Sequence, residues 1–484
     1  MAPLRRTKIV ATLGPASSDP KVLDRMIEAG VDVVRLNFSH GSARDHAERA
    51  ELVRTIARNR GRTIGVLVDL QGPKIRIGKF AGDRKVTLKP GDKFILDADC
   101  KLGDEHRVGL DYHNLPQDVS AGDTLLLDDG RVVMGVARTH GAQIHCVVEQ
   151  GGTLSNNKGI NRKGGGLSAP ALTDKDMEDI ATAATIKADY LGVSFPRSGT
   201  DIEWAKKLLR DAGGRAHIIA KIERAEAVVE KHLLEILAAA DGIMVARGDL
   251  AVEVGDAAVP ALQKRMIKLA REHNKLVITA TQMMESMISS PVPTRAEVSD
   301  VANAVIDGTD AVMTSAETAS GQYPVETIAT MARVCVETEK EDLLSLERRL
   351  TRPPAEVEEA IARATIATAS HLGIKAVAAL TQSGKTALLM SRMYSDVPIY
   401  ALTPVVETRR RVTLFRGVHP ILFQERLRDP EEAAERAEDA LIERGAVANG
   451  DYIIITMGEP FGKAGGTNTM KIVKVGEHRK AAGA

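Results

Sequence analysis

The chain has no excess charge of either sign: Lys and Arg total 65, and Asp and Glu also total 65, over 484 residues. No global field steers it to nucleic acid or to an anionic membrane, so any anion site has to be local. Cysteine is scarce as well. Cys100, Cys146 and Cys335 stand far apart and form no CxxC pair, which argues against a zinc ligand set or redox motif and fits a reducing compartment. Long apolar runs are missing: none approaches the ~20 residues of a membrane span. The start, Met1-Ala-Pro-Leu-Arg-Arg6, enters a short β-like segment without the h-region of a signal peptide. The expectation is a cytoplasmic protein with neither nucleic acid nor membrane as partner.

What is present is a regular alternation. Apolar residues make up 44% of the chain, enough for two or three domains with cores of their own. Short β-branched apolar runs occur at 8–13, 31–37, 65–70, 190–195, 217–222, 242–246, 276–281 and 311–315. Helical periodicity lies between most of them, at 21–29, 43–58, 200–211, 225–237, 261–273 and 296–306, and again at 325–337. Thr173-Asp-Lys-Asp176 and Thr294-Arg-Ala-Glu297 read as helix starts, with Thr as cap and an acidic residue reaching back. Eight β/α alternations predict a (β/α)8 barrel.

The alternation breaks after the third strand. From Pro73 to Pro170 there is no helical period, only short strands punctuated by Lys89-Pro-Gly-Asp92, Ala121-Gly-Asp123 and Asp128-Asp-Gly130, the pattern of an inserted all-β domain. A charged stretch over 342–354 ends in Pro353-Pro354, and strands resume at 376–381, 399–403 and 452–457. The expected division is a barrel over 1–72 and 171–345, a β lid over 73–170 and a carboxy-terminal α/β domain over 346–484.

Barrel enzymes build their sites where strands end and βα loops begin. Strand two closes in Arg35, Asn37, Ser39 and His40; strand three in Asp69; strand five in Lys221 and Glu223; strand six in Arg247 and Asp249. Strand seven adds Thr279 and Thr281, and strand eight adds Ser315 and Glu317. Strand alternation puts Lys221 and Glu223 on one side, toward the barrel axis. Glu223 and Asp249 have the hard oxygens to hold one Mg²⁺, and Lys221 the charge to neutralise a phosphoryl group. On spacing alone, a structural ion network with Lys221 and Arg247 accounts for the same residues.

The longer motifs carry more. Arg35-Leu-Asn-Phe-Ser-His-Gly41, Asp69-Leu-Gln-Gly-Pro-Lys-Ile-Arg76, Lys221-Ile-Glu223, Met244-Val-Ala-Arg-Gly-Asp-Leu250, Thr281-Gln-Met-Met-Glu-Ser-Met287 and Pro293-Thr-Arg-Ala-Glu-Val-Ser-Asp300 resemble the motifs of pyruvate kinases, in that family's order and over essentially the whole chain. The resemblance implies Mg²⁺-dependent (or Mn²⁺-dependent) phosphoryl transfer from phosphoenolpyruvate to ADP, the last step of glycolysis. It implies Mg²⁺ on Glu223 and Asp249, substrate phosphoryl on Arg35 and Lys221, its carboxylate near Gly248, and Thr281 beside the carbon that takes a proton. Nucleotide phosphates fall to Arg76 and Lys158, with Asn37, Phe38, Ser39 and His40 nearby, and the insertion becomes a lid. A homotetramer is implied too.

Two positions depart from the pattern. Lys74 stands where many potassium-dependent members carry Glu, next to a monovalent-cation position formed by Asn37, Ser39, Asp69 and the carbonyl of Leu70. An ammonium supplies the same charge, so activity without potassium is expected. Ala316 replaces a common Gly, with little consequence expected.

In the carboxy-terminal domain, Thr381-Gln-Ser-Gly-Lys-Thr386 follows an apolar strand and opens a helical run. Backbone amides, hydroxyls and the Lys385 ammonium within the run Thr381, Gln382, Ser383, Gly384, Lys385 and Thr386 can converge there on a phosphate. Ala379 occupies the first Gly position of a P-loop and excludes that motif. An ordinary Ser/Thr-rich helix cap fits the same residues; the resemblance makes the loop, with the Gly-rich stretch 461–467, a site for a phosphorylated allosteric effector. A dikinase, a metal-dependent aldolase and a non-catalytic sensor are the alternatives. No phosphohistidine loop is visible for the first, the lid's Lys158 and Arg76 are superfluous for the second, and the third would show damage among the catalytic residues that is not seen.

Overall fold

A computed structural model describes residues 4–341, 353–423, 429–460 and 466–477. Eight strands close into a parallel barrel: β1 (Lys8–Thr12), β2 (Val33–Asn37), β3 (Gly65–Asp69), β4 (Tyr190–Val193), β5 (His217–Ile222), β6 (Gly242–Ala246), β7 (Leu276–Ala280) and β8 (Ala311–Thr314). Each of the eight apolar runs becomes one of them, two with unchanged bounds and the others trimmed by one or two residues. After each strand the chain returns along a helix: Pro20–Ala29, Ala43–Asn59, Asp174–Thr185, Gly199–Asp211, Glu230–Ala239, Val259–Glu272, Arg295–Asp307 and Pro324–Thr338. Thr173 and Thr294 cap their helices through the expected capping boxes. The helix expected over 225–237 is broken in two: Glu226–Val228 forms a single 3₁₀ turn, Val229 is extended at ψ 133°, and the α-helix begins only at Glu230.

A repeated device closes the foot of the barrel. Asp32, Asp189, Asp241 and Asp310 each precede an even-numbered strand, and each grips the strand before it. Their Oδ2 atoms accept the N–H groups of Ile9, Val66, Ile218 and Val277 at 2.8–2.9 Å. Their own N–H groups donate back to the carbonyls of the same four residues at 2.9–3.0 Å. Each carboxylate thereby satisfies a strand-end donor that the ladder leaves free. Arginines close on three of them: Arg5 on Asp32 at 2.7 Å, Arg410 on Asp189 at 2.8 Å and Arg392 on Asp310 at 2.8 Å.

The inserted β domain leaves the barrel after β3. A six-stranded sheet orders Ile160–Arg162, Thr124–Leu127, Val132–His140, Gln143–Gln150, Lys93–Asp97 and Arg107–Val108, beside a two-stranded ribbon of Gly152–Leu154 and Val86–Leu88. The carboxy-terminal domain holds a five-stranded sheet ordered Val418–Leu422, Ile399–Thr403, Ala376–Leu380, Tyr452–Gly458 and Thr467–Lys474, the last antiparallel to its neighbour. Most of the charged stretch 342–354 lies outside the described residues.

Candidate active site

Strand β5 carries charge into the barrel. Ile218, Ala220 and Ile222 pack beneath the helices while Ile219 joins the interior cluster, so Lys221 and, past the strand end, Glu223 follow the inward side. Asp69 is 0% exposed, Glu223 1% and Lys221 9%. The Lys221 ammonium stands 2.9 Å from Glu223 Oε1 and 3.2 Å from Asp69 Oδ1, and donates to Ser194 Oγ at 2.7 Å. Burial works against that ammonium, but Asp69 and Glu223 outweigh it and raise Lys221 to about 12. Asp69 is likewise penalised by burial, yet Lys221 and Arg35 hold it below the ordinary carboxylate range. Its Oδ2 accepts from Arg35 Nε at 2.6 Å, and Arg35 Nη1 reaches Thr12 Oγ1 at 3.1 Å.

Glu223 behaves oppositely. Burial, with Asp249 and Asp69 adding repulsion, pushes it up to about 7 despite Lys221. Its Oε2 accepts the Phe195 N–H at 2.9 Å. Asp249 and Gly248 lie in the first turn of an eight-residue helix, Arg247–Val254, that starts where β6 ends. Lys74, on the segment leading into the lid, places its ammonium 3.3 Å from Asp249 Oδ1.

Asp249 is thus near enough to add repulsion at Glu223, and an ammonium stands against each carboxylate, Lys221 at Glu223 and Lys74 at Asp249. Such oxygens suit a hard divalent cation. No group of three or more His, Cys, Asp or Glu residues converges among the described residues. Glu223 and Asp249 fit a metal that keeps open positions.

Thr281 sits at φ 69°, a left-handed conformation that costs a β-branched residue on the order of 1–3 kcal/mol. Its hydroxyl accepts the Gly248 N–H at 2.8 Å and donates to the Ala280 carbonyl at 2.7 Å. Arg247 grips the same turn, donating to the Thr281 carbonyl at 2.7 Å while pairing with Asp300 at 2.7 Å. Arg247 thus serves the Thr281 turn and stays out of the Lys221 cluster, contrary to the ion network that spacing allowed.

At the end of β2, Ser39 N–H donates to Asn37 Oδ1 at 3.1 Å and His40 N–H to the Asn37 carbonyl at 3.3 Å. Phe38 is buried and stacked on His46 with ring centroids 4.1 Å apart. On the inserted β domain, Arg76 donates to the Asn157 carbonyl at 3.0 Å and Lys158 pairs with Asp128 at 2.8 Å. Arg35, Asp69, Lys221 and Glu223 form one contact set, Lys74 with Asp249 a second, and Gly248 with Thr281 a third, all at one rim.

The profile of the pyruvate kinase barrel domain matches residues 4–328, and that of the pyruvate kinase alpha/beta domain matches 359–473. The chain belongs to the pyruvate kinase family. It is 53% identical over 477 residues to pyruvate kinase II of Salmonella typhimurium, covering 98% of this chain and 99% of that one. It is also 53% identical over 460 residues to the pyruvate kinase of Haemophilus influenzae, covering 94% and 96%. A crystal structure of a pyruvate kinase from Cryptosporidium parvum superposes with a TM-score of 0.91 at 33% identity, over 97% and 96% of the two chains. Pyruvate kinases are phosphotransferases, and the closed barrel with its carboxy-terminal α/β domain is the shared architecture.

Ser194, Phe195, Arg224 and Glu253 also shape this candidate site, and sequence reasoning passed over them. Ser194 bridges the Lys221 ammonium to the Leu70 carbonyl, donating to the latter at 2.8 Å. The available signal was a polar residue near the end of the fourth apolar run. In the carboxy-terminal loop 381–386, Gly384 takes φ 84° and its N–H donates to Thr381 Oγ1 at 2.9 Å, while the Gln382 carbonyl accepts from Thr408 at 2.6 Å. Lys385 N–H donates to Ser383 Oγ at 3.3 Å and Thr386 Oγ1 lies 2.6 Å from Thr467 Oγ1. The Lys385 ammonium is held by Glu356 at 2.6 Å and Glu358 at 2.5 Å. Of the Gly-rich stretch 461–467, residues 461–465 lie outside the described residues.

Proposed function

We propose that this enzyme transfers a phosphoryl group from phosphoenolpyruvate to ADP, giving pyruvate and ATP, with Mg²⁺ or Mn²⁺ held by Glu223 and Asp249. The observation that carries the reading is the buried contact set of Lys221 with Asp69 and Glu223, beside Arg35 at the barrel mouth. When bound, the divalent ion supplies charge neutralisation for phosphoryl and enolate oxygens. Arg35 offers a planar fork and Lys221 a point charge to the moving phosphoryl group; transfer of this kind is mostly positioning and neutralisation. The Gly248 turn receives the substrate carboxylate. Thr281, with its hydroxyl fixed by Gly248 and Ala280, stands where a water-relayed proton reaches the enolate carbon.

Residues 1–72 and 171–345 form the catalytic unit in this reading, 73–170 a lid that brings Arg76 and Lys158 to the nucleotide near Asn37, Phe38, Ser39 and His40, and 346–484 the effector-binding unit. Lid closure keeps water from the phosphoryl group. Potassium is not required. Asn37 Oδ1 and the Leu70 carbonyl already accept hydrogen bonds within the chain, Asp69 already has Arg35 and Lys221, and Lys74 brings a fixed positive charge to Asp249. The loop 381–386 binds a phosphorylated effector once Lys385 leaves Glu356 and Glu358. The assembly is a homotetramer in the cytoplasm.

A coupled assay of pyruvate formation from phosphoenolpyruvate and ADP tests the activity, and absence of turnover with Mg²⁺ or Mn²⁺ rejects it. Thermal-shift titrations with phosphorylated sugars and nucleotides test the effector loop.

A further inference from the structure

The chain returns from lid to barrel through Gly164, Gly165 and Gly166, with φ of 82°, 78° and 89°. All three lie in the left-handed region that residues with side chains avoid. The barrel grips this return closely. Gly164 N–H donates to the Glu253 carbonyl at 3.0 Å, Gly166 N–H to Glu226 Oε1, and Arg224 to the Leu167 and Ala169 carbonyls at 3.0 and 3.5 Å. Arg224 follows Glu223 directly in the chain, and Glu226 stands three residues after it. Glu253 lies in the last turn of the helix whose first turn carries Asp249.

Glu253 makes three attachments from a buried position. Its Oε2 accepts the Ala225 N–H at 2.8 Å, on the loop that follows Glu223. Its Oε1 lies 3.5 Å from Asn161 Nδ2, on the last strand of the lid. Its backbone carbonyl takes Gly164. A cleft lined by Lys74, Asn161, Arg224, Glu226, Asp249 and Glu253 separates lid from barrel at this point.

We propose that Glu253 is a positioning residue: it fixes the Glu223 loop against the Asp249 helix and ties both to the lid, so that metal-ligand geometry and lid position are set together. The inference rests on the assignment of Glu223 and Asp249 to the metal. Outer groups that orient ligands typically matter about 10–100-fold for metal affinity.

The test is a Mn²⁺ titration of the full chain without nucleotide, read from the electron paramagnetic resonance of the free ion, alongside kinetics and melting temperature. E253A is expected to raise the Mn²⁺ Kd about tenfold and lower kcat, whereas E253Q, which keeps an oxygen for Ala225, stays within about threefold of wild type. E253D retains the charge but withdraws the oxygen by one methylene, and carries the same expectation as E253A where that variant does not fold. Wild-type Mn²⁺ affinity in E253A or E253D, or an E253Q as impaired as they are, overturns the proposal. E223Q is the control for the underlying reading. Unchanged Mn²⁺ binding in E223Q removes the metal assignment and the proposal together, whereas loss in E223Q with normal E253A and E253D removes the role of Glu253 alone.

Discussion

The Lys74 ammonium and the Asp249 carboxylate meet at 3.3 Å, joining the segment that enters the lid to the helix that carries a candidate metal ligand. In sodium- and potassium-free buffer, turnover is expected within about twofold of that with added potassium, because the positive charge is already built in. K74E removes that charge and is expected to make activity depend on potassium. Steady-state assays with tetramethylammonium as the replacement cation read both outcomes, and a large potassium stimulation of the wild type sinks the idea.

Lys221→Met tests the phosphoryl site. The loss of turnover is expected at about 10³-fold or more, since the charge facing the transferred group disappears from a buried site. Circular dichroism should show a folded protein. A Lys221→Met enzyme with near-normal kcat would sink the mechanism.

Glu223, pushed up to about 7 chiefly by burial, links pH to metal. A carboxyl raised above its ordinary 4.5 contributes stability that is complete below that value and is lost as pH climbs through about 7. Glu253, raised to about 7 first by burial, acts in the same direction. The metal-free protein should therefore melt at lower temperature at about pH 8 than at about pH 6, as far as these groups decide. Mn²⁺ competes with the Glu223 proton, so its affinity should rise with pH and level off above about 7. Melting curves with and without Mn²⁺ across this range check both slopes.

Thr281→Ala separates chemistry from stability. The lost hydrogen bond to Gly248 costs about 1 kcal/mol, and relief of the β-branched side chain at positive φ returns a similar amount. The melting temperature should barely move while kcat falls about 10–100-fold. A large drop in melting temperature at unchanged kcat would assign Thr281 to structure alone.

Arg392 and Asp310 have no exposed side-chain surface, and Arg392 also donates to the Lys275 carbonyl at 2.6 Å. Arg392→Met strands the carboxylate in the interior and should destabilise by about 3–5 kcal/mol. Adding Asp310→Asn should recover part of that loss, read by urea unfolding. Equal stability of the single and double variants contradicts the pairing.

The barrel was legible because each strand is an apolar run with a polar end, and the candidate site was proposed because those ends share one rim. What escaped the sequence depended on contacts between distant segments. Val418–Leu422 contains Pro420 and survives as a strand only because it lies at a sheet edge. Thr467–Lys474 is another edge, whose Thr, Asn and Lys residues mask its period. The helix from Arg247 begins with Arg-Gly-Asp, a poor local signal, and is held by Thr281 and Asp300 from other elements. Lys74 was expected at the cation position of Asp69; its partner Asp249 is 175 residues away in the chain and invisible to local reasoning. The aspartates before alternate strands were readable as a recurrence and went unread, since each alone resembles a loop residue.

Those four aspartates have a geometric consequence. Taken alone they give the base of the barrel a near-fourfold sameness, which offers a cap several equivalent rotational settings. The arginines remove that ambiguity: Arg5 fills the notch at Asp32 from within the amino-terminal segment, while Arg410 and Arg392 from the carboxy-terminal domain enter those at Asp189 and Asp310. The base works as a keyed coupling, and the domain that carries the loop 381–386 can seat on the barrel in one orientation.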